Sequence, residues 1–122
     1  MKRNTNEFKK DPAVLAVMLF GSRARGDERK DSDTDLCVVL MPRDYTSKEL
    51  SDYKMRYRSK IDADIHVYQQ MPIYIQQRVL KDGKVLFCRN KDLLYEAAFK
   101  TIREFNHFER FYQEYLEKVA HG

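Results

Sequence analysis

Eight consecutive apolar residues, 13–20, stop abruptly at Gly21, with Asp11-Pro12 just upstream. A bilayer crossing takes about 20 such residues, so this run is too short to span one. Its length and flanks predict a strand buried on both faces, although a buried helix has the same lack of polar periodicity. A strand of that kind needs paired neighbours in its own sheet and a covering layer on each side. A second apolar run opens at Asp35, continues to Met41 and is stopped by Pro42, which predicts another buried strand. The chain has 122 residues, 43% of them hydrophobic, enough for one core and too few for two.

The remaining segments fall into alternating types. Residues 1–10 are polar and basic and predict at most a short helix before Asp11-Pro12. Residues 21–34 are rich in Gly, Arg and Asp and predict a loop, or a loop with a short helix. Thr46-Ser47-Lys48-Glu49 reads as a capping box, so a helix runs from there to about Ser59, with Leu50, Tyr53 and Tyr57 as its apolar stripe. Residues 61–68 alternate: Ile61, Ala63, Ile65 and Val67 on one face, Asp62, Asp64, His66 and Tyr68 on the other. That is a half-buried strand. Pro72 opens a further helix at its first position, Gly83 ends it, and residues 85–88 form a short strand. Residues 91–120 contain neither Gly nor Pro and predict one long helix. The result is an α/β (α+β) domain with a mixed sheet flanked by helices, a core over 1–90 and a C-terminal helix over 91–122.

Charge and cysteines narrow the setting. Lys and Arg number 23 against 19 Asp and Glu, a net charge of +4. That excess suits anionic ligands such as nucleotides. The cationic stretch from Arg43 to Lys60 is interrupted by Asp44, Glu49 and Asp52 and reads as a solvated helix face, so stable nucleic-acid binding is not expected. Cys37 and Cys88 lie in apolar stretches without Cys-x-x-Cys spacing and read as reduced core thiols. With no apolar leader behind Met1, the expected location is the cytoplasm, with no membrane contact.

Chemistry concentrates where the two apolar runs meet the loop between them. Gly21-Ser22 closes the first run, and Asp33-Thr34-Asp35 opens the second. Strand residues two apart point the same way, so Asp33 and Asp35 project together. Asp64 supplies a third carboxylate from another strand. Close carboxylates repel, and they keep their charge best with a divalent cation between them. Mg²⁺ takes a few carboxylates, waters and substrate phosphates, and two such ions suit an in-line phosphoryl displacement. Gly21 allows close backbone approach to a phosphate, Ser22 can donate to it, and Arg23 and Arg25 add positive charge. Such a set is suited to displacing pyrophosphate from a nucleoside triphosphate. Asp62 and His66 share the face of Asp64, but Asp62 reads as solvated and His66 as an exposed polar-face histidine.

The segment Phe20-Gly21-Ser22-Arg23-Ala24-Arg25-Gly26, the Asp33-Thr34-Asp35 that follows, and Asp64 on a strand together resemble the nucleotidyltransferase superfamily of DNA polymerase β. The small size resembles its minimal nucleotidyltransferase (MNT) branch, and the likeness extends through 71–83 and into the last helix. The resemblance implies an antitoxin paired with a HEPN-type RNase toxin. It would transfer AMP from ATP to a toxin tyrosine and also bind the toxin. It implies Asp33, Asp35 and Asp64 as catalytic metal ligands for two Mg²⁺ ions, and Gly21, Ser22, Arg23 and Arg25 as the phosphate site for ATP. Neutralisation by binding alone, and transfer to a small molecule of the aminoglycoside type, are the alternatives. Two features depart from the family pattern: only ten residues precede Asp11, and Asn106-His107-Phe108 stands where an aspartate often precedes the phenylalanine.

The last helix carries its own signal. Leu94, Ala98, Thr101, Phe105, Phe108, Tyr112, Tyr115 and Val119 recur at spacings of four and three. Thirty helical residues reach about 45 Å, and a domain of this size is only about 30 Å across. The far end is therefore expected to overhang and present Phe108, Tyr112 and Tyr115 to a protein partner.

Overall fold

A computed structural model describes residues 5–21 and 35–121. Its elements run α1 (Asn6–Lys10), β1 (Val14–Phe20), β2 (Asp35–Leu40), α2 (Ser47–Lys60), β3 (Asp64–Val67), a 3-10 turn (Tyr68–Gln70), α3 (Ile73–Asp82), β4 (Lys84–Cys88) and α4 (Lys91–His121). The four strands form one mixed sheet in the order β3-β2-β1-β4. β1 pairs antiparallel with both β2 and β4, while β2 and β3 are parallel. A parallel pair needs a crossover, and α2 supplies it.

The two apolar runs become the two interior strands, buried along nearly their whole length. On one face, Val17, Leu19, Leu36, Val38 and Ile65 pack with Phe8 of α1 and Leu50 and Tyr57 of α2. On the other, Leu15, Ala16, Met18, Cys37 and Val39 pack with Tyr68 and Val79, and α3 and α4 add Ile75, Leu80, Leu93 and Leu94. A bulge between Val14 and Ala16 turns Leu15 and Ala16 to the same side, which keeps both faces filled. Burial pushes the Cys37 thiol far up from its usual range, so it is an inert core group.

Local signals act as the sequence reading expects at most boundaries. Thr46 and Glu49 exchange reciprocal hydrogen bonds, a complete capping box at the start of α2. One boundary differs: Pro72 is the N-cap of α3 rather than its first residue. Gly83 ends α3 as expected, with φ −75°, outside the left-handed region. Its lack of a side chain serves space instead, since a Cβ there would lie 2.4 Å from the Val79 carbonyl oxygen.

The third strand is shorter than the alternation predicts. It begins at Asp64, because the Ile61 N–H still bonds the Tyr57 carbonyl of α2 and the Ala63 N–H turns back to Ile61. It ends at Val67, where the chain enters the 3-10 turn. Tyr68, on the alternating polar face in the sequence, is buried beneath α4, and its hydroxyl hydrogen-bonds the Thr101 hydroxyl. Burial raises the Tyr68 phenol to about 12, so it stays neutral and available as a donor.

α4 continues well past this contact. Thr101 is its only buried residue, Phe105 is half-buried, and every residue from Asn106 to His121 is exposed. The expected overhang is present, and it carries Phe108, Phe111, Tyr112, Tyr115, Leu116 and Val119 into solvent. No helix among the described residues is long and apolar enough to cross a membrane.

The Tyr68–Thr101 pair is a direct test of how α4 is anchored. Tyr68→Phe and Thr101→Val each leave a buried hydroxyl without its partner, which should cost about 1–3 kcal/mol. The double variant should lose less than the sum of the two, because it leaves neither orphan. Urea denaturation of the three variants measures this, and strictly additive losses would show that the hydroxyls do not depend on each other.

Candidate active site

The sheet brings three strand ends to one place. Phe20, the last residue of β1, pairs with Asp35, the first of β2, and Asp35 in turn pairs with Asp64, the first of β3. The Asp35 and Asp64 carboxylates therefore project side by side from the same end of adjacent strands, on the face that α3 and α4 cover further along. Both are partly exposed. His66 is half-buried like them, and two residues further along that face Tyr68 is core. The site sits where a closed core opens to solvent.

Gly21 follows β1 with φ +85°, the one positive φ among the described residues. A Cβ there would lie 2.6 Å from Asp35 Oδ2. Glycine is thus required twice, by the left-handed backbone and by the approach of the carboxylate. Its expected part in holding a phosphate is compatible with this position, at the rim of the carboxylate pair.

His66 corrects the sequence reading. It is not an exposed bystander: its Nε2 is 3.2 Å from Asp64 Oδ2 and 3.4 Å from Asp35 Oδ1. That nitrogen is shielded from solvent and satisfies hydrogen-bond geometry with no described group. Ion-pair reach to two carboxylates without alignment to either places Nε2 over the gap between them. The ring is held edge-on by Phe20, with centroids 5.2 Å apart. Asp35, Asp64 and His66 together offer three ligand atoms within 4.8 Å of one another. An orphaned nitrogen facing two carboxylates is a donor set that fits a divalent cation. Sequence spacing already placed His66 on the face of Asp64; what it lacked was the register of β2 against β3.

The other expected site residues divide into two groups. Ser22, Arg23, Arg25 and Asp33 lie outside the described residues. Asp62 is exposed and precedes β3, so it does not join Asp64. A cleft of about 290 Å³ is lined by Phe20, His66, Met71, Pro72 and Ile75 among others, and a smaller one of about 160 Å³ lies between Gly21, Arg78 and Asp82. Phe108, Tyr112 and Tyr115 are on the exposed length of α4, where the Phe108 and Tyr112 rings stack at 6.1 Å.

Residues 2–92, three-quarters of the sequence, match the family described as polymerase beta, nucleotidyltransferase. The chain belongs to the polymerase β nucleotidyltransferase family. Within it, the chain is 31% identical over 74 residues to MJ1547 of Methanocaldococcus jannaschii, which carries the provisional name protein adenylyltransferase. The alignment covers 61% of this chain and 56% of that one, so the chain spans just over half the length of the curated relative it matches.

The nucleotidyltransferase fold extends over nearly the whole chain. A toxin–antitoxin structure with AMP-PNP contains a chain of the same fold, with TM-score 0.70 and 23% identity over 97% of this chain and 99% of that one. A second resembles it at TM-score 0.63 and 21% identity, over 93% and 88% of the two chains. It is a complex of a tri-AMPylated Shewanella oneidensis HEPN toxin with an MNT antitoxin. At these identities the likeness establishes the fold, a mixed sheet with helices and a long C-terminal helix.

The close fit of Gly21 against Asp35 can be probed without touching a carboxylate. Gly21→Ala must adopt a left-handed backbone, costing about 1–2 kcal/mol, and must displace the Asp35 carboxylate. The variant should fold with a modestly lower melting temperature and lose divalent-ion affinity, read by calorimetric titration. Wild-type ion affinity in this variant would mean that the Asp35 rotamer is not what Gly21 protects.

Proposed function

We propose that the chain is a metal-dependent protein adenylyltransferase that moves AMP from ATP to a tyrosine of a cognate HEPN-type RNase toxin and serves as its antitoxin. The observation that carries this reading is the pair of carboxylates, Asp35 and Asp64, held in register at the strand ends beside Gly21. Family membership and the toxin–antitoxin structures of the same fold support it.

In this reading residues 1–90 form the catalytic core and 91–122 the docking helix. Asp35, Asp64 and, from the sequence pattern, Asp33 hold one or two Mg²⁺ ions, which when bound neutralise the phosphates and the charge that builds on the leaving group. Gly21 and Ser22 hold the triphosphate, aided by Arg23 and Arg25. The tyrosine oxygen attacks the α-phosphorus in line, forming the new P–O bond as the bond to the β-phosphate oxygen breaks and pyrophosphate departs. Asp64 takes the hydroxyl proton. Its partial exposure leaves room for a bulky protein acceptor. The distal aromatic stripe of α4, centred on Phe108, Tyr112 and Tyr115, docks the toxin and brings its tyrosine to the site.

A second reading is neutralisation by binding alone, and the exposed length of α4 favours it, because that surface needs no chemistry to cover a toxin. Asp35→Asn separates the two. It keeps side-chain size and removes a metal-ligating charge, so labelled-AMP transfer to the toxin should fall about a hundredfold or more while the melting temperature holds. Retained transfer sinks the proposed site; lost transfer with intact toxin neutralisation in cells selects the binding-only reading.

The docking face has its own test. Phe108→Asp with Tyr112→Asp puts charge in the centre of the stripe and should weaken toxin binding about thirtyfold or more. ATP affinity, set at the strand ends, should not change. Surface plasmon resonance with the toxin and ATP titration measure both, and unchanged toxin affinity would remove this face from the interface.

A further inference from the structure

His66 is the residue around the carboxylate pair that the transfer chemistry above does not use. Its place is built rather than incidental. Two residues beyond Asp64 on a strand of period two, it must share that carboxylate's face. The parallel register sets it opposite Cys37, one strand away from Asp35's side chain. Phe20 buttresses the ring, and the Nε2 atom is sealed from solvent facing Asp35 Oδ1 and Asp64 Oδ2.

These distances suit a common ion better than a direct contact. Donor atoms on adjacent corners of an octahedron with bonds of about 2.1 Å lie about 3 Å apart. The Nε2 separations of 3.2 and 3.4 Å are close to that value, and neither meets hydrogen-bond geometry. Asp35 Oδ2, the other oxygen, packs against Gly21, which limits rotation of the carboxylate and keeps Oδ1 toward His66.

We infer that His66 Nε2 is itself a direct ligand, beside Asp35 and Asp64, of the ion those carboxylates hold, and that this makes the site prefer Mn²⁺ to Mg²⁺. The inference rests on the proposed metal-dependent reading of the same carboxylates. An all-oxygen carboxylate set suits Mg²⁺, which is hard and gives up its waters reluctantly. Imidazole nitrogen is a softer donor that first-row transition ions accept readily and Mg²⁺ rarely takes. An imidazole added to a carboxylate set therefore discriminates between the ions by ligand type.

Mn²⁺ is also the probe. The full chain, without nucleotide, is titrated with Mn²⁺ and with Mg²⁺ in competition, and pulsed electron paramagnetic resonance reads nitrogen coupling to the bound Mn²⁺. The expected result is a directly coordinated imidazole nitrogen and Mn²⁺ affinity at least about tenfold above that for Mg²⁺. His66→Gln, which offers an oxygen in place of the nitrogen, should abolish the imidazole signature and remove most of the preference, with Mg²⁺ affinity nearly kept. His66→Phe retains ring packing on Phe20 and serves as the second variant should the first fold poorly. Bound Mn²⁺ without imidazole coupling, or equal affinities for the two ions in wild type, overturns the inference and leaves the carboxylate site standing. Failure of the wild type to bind either ion at millimolar concentration overturns both this inference and the metal-dependent function beneath it.

Discussion

β1 and β2 have no solvent-facing side. Each is paired on both edges and covered on both faces, by α1 and α2 below and by α3 and α4 above. A charge within either strand would be expensive to bury, so charge is tolerated only where the strands emerge. Asp35 stands at that point on β2, and Asp64 on its parallel neighbour. The position of the site thus follows from the burial of the sheet interior. The same constraint accounts for the change along one face, from the partly exposed Asp35, Asp64 and His66 to the core residue Tyr68 within a few residues.

Two carboxylates held in adjacent register repel each other. The structure keeps them together through backbone pairing that exists for other reasons, and lets a positively charged group or ion settle the difference. Among the described residues, Gly21 and His66 both fit against the pair: one by having no side chain, the other by presenting a shielded nitrogen. A functional site that is locally unfavourable and globally supported is a common pattern where stability and activity compete.

α4 shows the opposite balance. Its first turns are bound to the sheet through Leu93, Leu94 and the Tyr68–Thr101 contact, and its remainder buries nothing. A free helix of that length gains little from propensity alone, and a row of large aromatic residues in water is unfavourable to leave uncovered. The toxin docking proposed for this stripe would cover it. The short α1 is held by Arg89, whose guanidinium donates to the carbonyls of Val14, Lys9 and Asp11.

Much of this was legible from sequence, and for identifiable physical reasons. Two apolar runs without alternation pointed to interior strands by their length and flanks, and Thr46 with Glu49 to a helix start, because burial and capping are local demands. The nucleotidyltransferase family was legible in Gly21-Ser22 and Asp33-Thr34-Asp35 for the same reason, since phosphate approach and metal ligation each restrict residue type. Period-two spacing put His66 on the face of Asp64. It could not say that parallel pairing aligns Asp64 with Asp35, nor that Phe20 would press the ring toward both. Pairing register is a long-range choice between strands separated by a crossover helix, and no local pattern encodes it. Nor could alternation tell that one end of that face is solvent and the other, at Tyr68, is core, because the cover comes from α4, some thirty residues later in the chain. Composition and spacing determined which residues could do chemistry; only the packed sheet decided which of them meet.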